Sequence, residues 1–261
     1  MDETTAWRER FMEEVHRRGL HVGQPLPDGR VALVLEDREL VVRLDNLFRS
    51  LRRNAAPDTV SRFLDGILES QQPLPAWPDA RAQVRFCAAQ PPEEETDVIA
   101  VPVTDRLISV VCWVDAQEER VRFVGENQLA IWGVEDEELL LTASYNMGRM
   151  LEAVPLEVHR RKGVRVGVLE TTSPFKASLV FAPNLRTKLE PSLGWPVVAA
   201  IPCRDFVFLF GAGDLDAIKE EIGGVVLKEF RESSYPLTTE LLHISEQGVT
   251  AVGHFDPPPE G

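Results

Sequence analysis

The sequence predicts an α+β chain, with a largely antiparallel C-terminal sheet packed by helices and a smaller N-terminal region of helix and hairpin. Three observations predict it. Apolar, β-branched runs joined by short turns crowd the second half. Amphipathic helical stretches fall among them without regular strand–helix–strand alternation. Hydrophobic residues make up 44% of the 261, enough for a real core. The expected regions are 1–90 and 97–256. The linker between them is QPPEEETD, 90–97, where two prolines meet an acidic cluster.

In chain order, residues 4–18 predict a helix, because Trp7, Phe11 and Val15 recur every four residues among charges. RVALVLEDRELVVRLD, 30–45, reads as two strands around Glu36-Asp37-Arg38, and LFRSLRR as a short helix. Residues 57–70 open on Pro57 and place Val60, Phe63, Leu64, Ile67 and Leu68 on one face, a helix. After the Pro-rich 71–78, a helix is expected from Asp79 to Ala88.

DVIAVPVTD, RLISVVCWVD and RVRFV then read as strands. Residues 125–151 read as helix broken at Gly133. Glu135, Asp136, Glu137 and Glu138 crowd the second helix's first turn, where the helix dipole favours them. LEVHRR and VRVGVLE form a hairpin tipped by HRRKG. KASLVF is expected as a strand, and APNLRTKLEPSLG as a short helix or irregular turn. VVAAIP and FVFLFG supply two strands around Cys203-Arg204-Asp205, with Cys203 read as a turn residue after Pro202. Residues 214–233 form an amphipathic helix that Gly223-Gly224 is expected to weaken or kink. LLHIS and VTAVGHF close as a hairpin over Glu246-Gln247-Gly248, and the tail after Phe255 is expected to be disordered.

The net charge of −14 opposes general affinity for nucleic acid or anionic membrane, and reads either as a source of solubility or as a surface complementary to a basic protein partner. No apolar window reaches membrane-spanning length, and the charged N-terminus lacks a signal-peptide core, so a cytoplasmic location is expected. Cys87, Cys112 and Cys203 lie far apart without a C-x-x-C, which fits buried thiols in a reducing compartment.

The catalytic motifs were weighed in turn. The five histidines form no H-x-x-x-H or H-x-H pair. A three-residue hairpin loop puts His243 and His254 on opposite faces, so no metal site is expected. No G-x-S-x-G elbow and no phosphate-binding Gly-Lys loop occur. FLFGAGDLDAI has a strand-to-helix G-x-G, but Asp214 and Asp216 sit where a pyrophosphate would go. Asp214 as a helix cap explains the same letters. Arg204 beside Cys203 would lower a thiol pKa, yet no His lies near in sequence to act as base. HRRKG, 159–163, reads as a solvated hairpin tip or a contact for an acidic group. No cofactor and no catalytic residue are expected.

An ordered set of landmarks carries one resemblance. FVGENQLAIWGVEDEELLLTASYNMGRML ends its acidic helix in Ala143-x-x-Asn146-Met147. FKASLVFAPNL, the Pro202-Cys203-Arg204-Asp205 corner and YPLTTELLHIS follow. Over residues 95–250 this resembles the YtpQ-like family, a bacterial domain of unknown function, with Met147 where that family has Leu. The resemblance implies a fold and no mechanism. It also singles out Asn146, Lys176, Ser178, Arg204 and Asp205, which fall at the edges of apolar elements. They read either as an internal hydrogen-bond and ion-pair network or as a ligand pocket, in which Arg204 holds an anion and Asp205 orients it or acts as base. The functional expectation is a non-catalytic, cytoplasmic bacterial protein-binding module, an adaptor or an immunity-type inhibitor. A small-ligand binder or enzyme at Arg204-Asp205, and a scaffold or oligomerisation module, are the alternatives.

Overall fold

A computed structural model describes residues 3–26, 30–35, 38–44, 47–48, 51–52, 56–70, 72–92, 96–118 and 120–256. The fold is α+β with three antiparallel sheets. The chain divides into two compact units, Met1–Pro73 and Leu74–Gly261. The boundary therefore falls before, not within, 90–97. That stretch connects two strands inside the second unit, with 93–95 outside the described residues.

In the first unit, helix α1 (Glu3–Arg17) buries Phe11 and Val15. Strands β1 (His21–Pro25), β2 (Val31–Leu35) and β3 (Arg38–Val42) form a three-stranded sheet in that order. Helix α2 (Thr59–Ser70) completes a core of Phe11, Val15, Leu33, Val60 and Leu64. The turn at 36–37 and parts of 47–53 lie outside the described residues.

The second unit opens with a single helical turn, α3 (Trp77–Ala80), and a 3-10 turn, Arg81–Gln83. The helix expected through Ala88 is instead strand β4 (Val84–Ala89), paired with β6 (Leu107–Val114) along its whole length. Its burial alternates: Val84, Phe86 and Ala88 face the core, while Arg85, Cys87 and Ala89 point away. Strands β5 (Ala100–Thr104) and β7 (Val121–Phe123) pair with β6 as well. Helices α4 (Glu126–Trp132) and α5 (Asp136–Ala153) are separated at Gly133, whose φ of 66° suits a residue without a Cβ.

The second sheet of this unit has six strands: β8 (Leu156–Arg161), β9 (Val164–Leu169), β10 (Val197–Cys203), β11 (Phe206–Gly211), β12 (Glu240–Ser245) and β13 (Gly248–His254). Their spatial order is β13-β12-β10-β11-β9-β8. Strand β10 is buried at all seven positions because both of its faces are covered. Val197, Ala199 and Ile201 join the main core with helix α6 (Leu185–Leu193). Val198 and Ala200 pack with helix α7 (Leu215–Glu232) through Ile218, Ile222 and Val226.

Two further expectations are corrected, those for Ala177–Phe181 and for the β12–β13 turn. Ala177–Phe181 is a 3-10 helix, not a strand. Its Ala177, Ser178, Leu179 and Val180 are all buried, so a short apolar run with no free face shows no period-two pattern to hold it in a sheet. Helix α7 runs unbroken through Gly223-Gly224. A Cβ on Gly223 would stand 2.9 Å from the Phe255 ring, so this glycine serves close packing. The β12–β13 turn has two residues, with Ser245 paired to Gly248, not three. A bulge at Leu241/Leu242 then sets His254 opposite Glu240 and His243 opposite Thr250, which leaves the two histidines on opposite faces. Residues 257–261 lie outside the described residues.

Candidate functional site

The β10–β11 corner is a two-residue turn, Arg204-Asp205, because Cys203 pairs with Phe206 as the last residue of β10. Cys203 is thus a buried strand residue and not part of the turn. Burial raises its thiol pKa. Three backbone bonds build the corner. Arg204 N donates to Tyr235 O at 3.1 Å, Leu237 N to Pro202 O at 2.8 Å, and Ala177 N to Arg204 O at 3.1 Å. The segment 235–237 therefore lies along one side of the corner and the 3-10 helix along the other.

This scaffold aims the side chains. The Arg204 guanidinium lies over the Tyr235 ring at 3.9 Å, and its Nε donates to Asp205 Oδ1 at 3.2 Å. Both groups are partly open to solvent, at 31% and 42%. Ser178 is buried, and its Oγ accepts from Ala88 N at 2.8 Å, tying the 3-10 helix to β4. Lys176 stands at the N-cap position of that helix, with its backbone N on Ser173 O. Asn146 lies elsewhere. Its Nδ2 donates to Arg81 O at 2.8 Å and Val84 O at 2.9 Å, at the start of β4. Ser178 holds residue 88 of the same strand, about 13 Å further along. Four of the five residues therefore gather at one corner, while Asn146 clamps the far end of the strand.

Two residues that the sequence reading left as separate buried thiols also meet here. Cys87 faces Val110 and Cys112 faces Arg85, so the two cysteines are diagonal neighbours on one sheet face. A hydrogen bond from Cys112 and the nearby Arg204 charge lower the Cys87 thiol pKa. Burial pushes Cys112 well up. Only the strand register brings them together, and residues 25 positions apart carry no local signal of it.

Asp214 occupies the N-cap position of α7 but makes no side-chain cap bond. A Cβ on Gly211 would stand 2.8 Å from Leu193 O, so the G-x-G glycine answers a close backbone approach. Among the described residues no group of three or more His, Cys, Asp or Glu is placed to hold a metal, and no helix is long and apolar enough to cross a membrane.

A second feature lies on the α7 side of the six-stranded sheet. The helix covers the β10 half, while the β8–β9 half holds a groove of about 370 Å³. Val166, Val168 and Phe208 form its floor, and Ile218, Ile222 and Val225 of α7 its wall. His159, Arg161 and Glu221 supply its polar groups. Glu221 Oε2 is shielded from solvent and accepts no hydrogen bond, with Lys162 Nζ standing 3.5 Å away.

No family model, curated protein or solved structure matches the chain.

Proposed function

We propose that the chain is a non-catalytic protein-binding module of the bacterial cytoplasm, an adaptor or an immunity-type inhibitor, and that it docks its partner in the groove beside α7. The observation that carries this reading is the half-covered sheet face. A sheet buries its apolar face under another layer, and here that layer buries Val166 but leaves Val168 and Phe208 only half-buried. The wall residues Ile218, Ile222 and Val225 follow the i, i+4, i+7 pattern, so the groove runs about 10 Å along the helix. Its volume is at the low end of the roughly 300–1,000 Å³ of small-molecule sites and suits two or three apolar side chains of a docked segment. A net charge of −14 favours a basic partner. The YtpQ-like resemblance agrees with a bacterial origin and adds no mechanism.

Val225 is 39% exposed, so Val225→Glu alters the groove without opening the core. The reading predicts that the full wild-type chain retains a specific cytoplasmic protein on affinity capture and that Val225→Glu loses it at unchanged melting temperature. Equal capture by both proteins contradicts it.

The alternative, a ligand pocket at Arg204-Asp205, has the partly exposed, tyrosine-stacked guanidinium in its favour. It predicts that an anionic ligand raises the melting temperature of the wild type and not of Arg204→Ala or Asp205→Ala. Variants that lose only stability, with no ligand shifting the wild type, end it.

A further inference from the structure

Strand β8 is the outer strand of the six-stranded sheet and pairs only with β9. Residues 157–161 are all exposed. An edge strand offers an unpaired row of backbone donors and acceptors to any chain that can match it. Its charges are arranged in a particular order. Glu157, His159 and Arg161 share the α7 face, opposite Val168, Val166 and Val164 of β9. Glu157 has only the His159 imidazole near it, Nε2 at 3.5 Å, and among the described residues nothing pairs with Arg161.

We propose that β8 pairs antiparallel with β8 of a second copy of this chain, centred on His159. The register follows from elimination. Continuing the sheet requires residues on the same face to oppose each other, which restricts the symmetric registers to steps of one residue in the centre. Centring on Glu157 opposes two carboxylates, and centring on Arg160 opposes two guanidiniums; both are unfavourable. Centring on Val158 sets Arg161 against Pro155 and leaves it without a carboxylate. Centring on His159 sets Glu157 of each copy opposite Arg161 of the other, so both groups acquire an opposite charge twice over by symmetry. The interface is isologous and closed, and it joins the two sheets into one of twelve strands. The two grooves then lie on one continuous floor. From β11 to its symmetry mate are five strand spacings, about 24 Å. The inference rests on the edge and its charge order alone, and it stands or falls apart from the groove reading.

Sedimentation velocity over a concentration series of the full chain tests it. The wild type is expected to pass from monomer to dimer. Glu157→Arg or Arg161→Glu alone should weaken the dimer by about tenfold or more. The double swap, Glu157→Arg with Arg161→Glu, should restore it. Circular dichroism checks that the exposed substitutions leave the fold intact. A wild type that stays monomeric to its solubility limit overturns the proposal. So does a dimer indifferent to the single swaps, or a double swap that fails to rescue. Val225→Glu should leave the dimer unchanged, which separates this outcome from that of the groove.

Discussion

Arg204 carries two structural duties in one residue: its backbone ties β10 to 235–237 and to the 3-10 helix, and its guanidinium stacks on Tyr235. That Arg204-Asp205 forms a corner is legible in the sequence, because two apolar runs flank it. Tyr235 is not legible as its partner, since it lies 31 positions further along the chain, beyond a whole helix. Ser178 and Asn146 show the same limit. Their residue types suggest a site, but their partners are backbone groups that only the tertiary fold brings near. Ser178→Ala leaves the buried Ala88 N–H without an acceptor and should cost about 1–3 kcal/mol, measured by denaturant unfolding. A serine needed only for a ligand would cost little. Cys87 should be the first of the three thiols alkylated, and at lower pH than an ordinary cysteine, because its pKa is lowered while those of Cys112 and Cys203 are raised. Mass-spectrometric mapping of iodoacetamide labelling checks this, and Arg204→Gln should slow it. In the first unit, Arg17 and Arg18 hold Glu14 down to about 2 from 4.5. A depressed carboxylate contributes stability above its unfolded pKa and loses it as pH falls through the folded value. Acid titration of the melting temperature between pH 4.5 and 2 should therefore be flatter in Glu14→Gln.

At the scale of the element, periodicity succeeded where one face is wet and failed where it is not. Helix α1 and strand β3 expose one side, so their patterns survive in the letters. Ala177–Phe181 is buried all round and reads equally as strand or helix. Strand β4 was obscured because Arg85 and Cys87 are only half-buried, which mimics a helix's mixed face. Helix α7 separates propensity from packing within one dipeptide. Gly224 is exposed and a Cβ there meets nothing within 4 Å, so Gly224→Ala should stabilise by about 1 kcal/mol. Gly223→Ala meets Phe255 at 2.9 Å, and overpacking of about 1–3 kcal/mol should cancel or exceed the same gain. Thermal unfolding of the two variants decides it. A Gly223→Ala protein as stable as Gly224→Ala would mean that Phe255 yields freely.

Across the whole molecule, composition announced a cored α+β chain, and the structure has three antiparallel sheets in two compact units. The unit boundary at Pro73/Leu74 was hidden because Pro-rich 71–78 and Pro-acidic 90–97 look alike as linkers; only the pairing of β4 with β6 assigns the second to the interior of a unit. The groove was hidden for a related reason. Val166, Val168 and Phe208 look like ordinary core residues, and only the tertiary packing buries Val166 under α7 while leaving Val168 and Phe208 half-buried beside it. Net charge acts at long range but is screened beyond about 8 Å at physiological salt, so the groove's own chemistry sets what it holds once a partner arrives. The central claim is that this groove is where a protein partner sits. A photo-crosslinking amino acid placed in cells at Val225, inside the groove, and separately at Leu141, which is more open to solvent on α5, tests this. The account predicts a discrete adduct with another protein from position 225 and none from position 141. The same adducts from both positions, or none from 225, would contradict it.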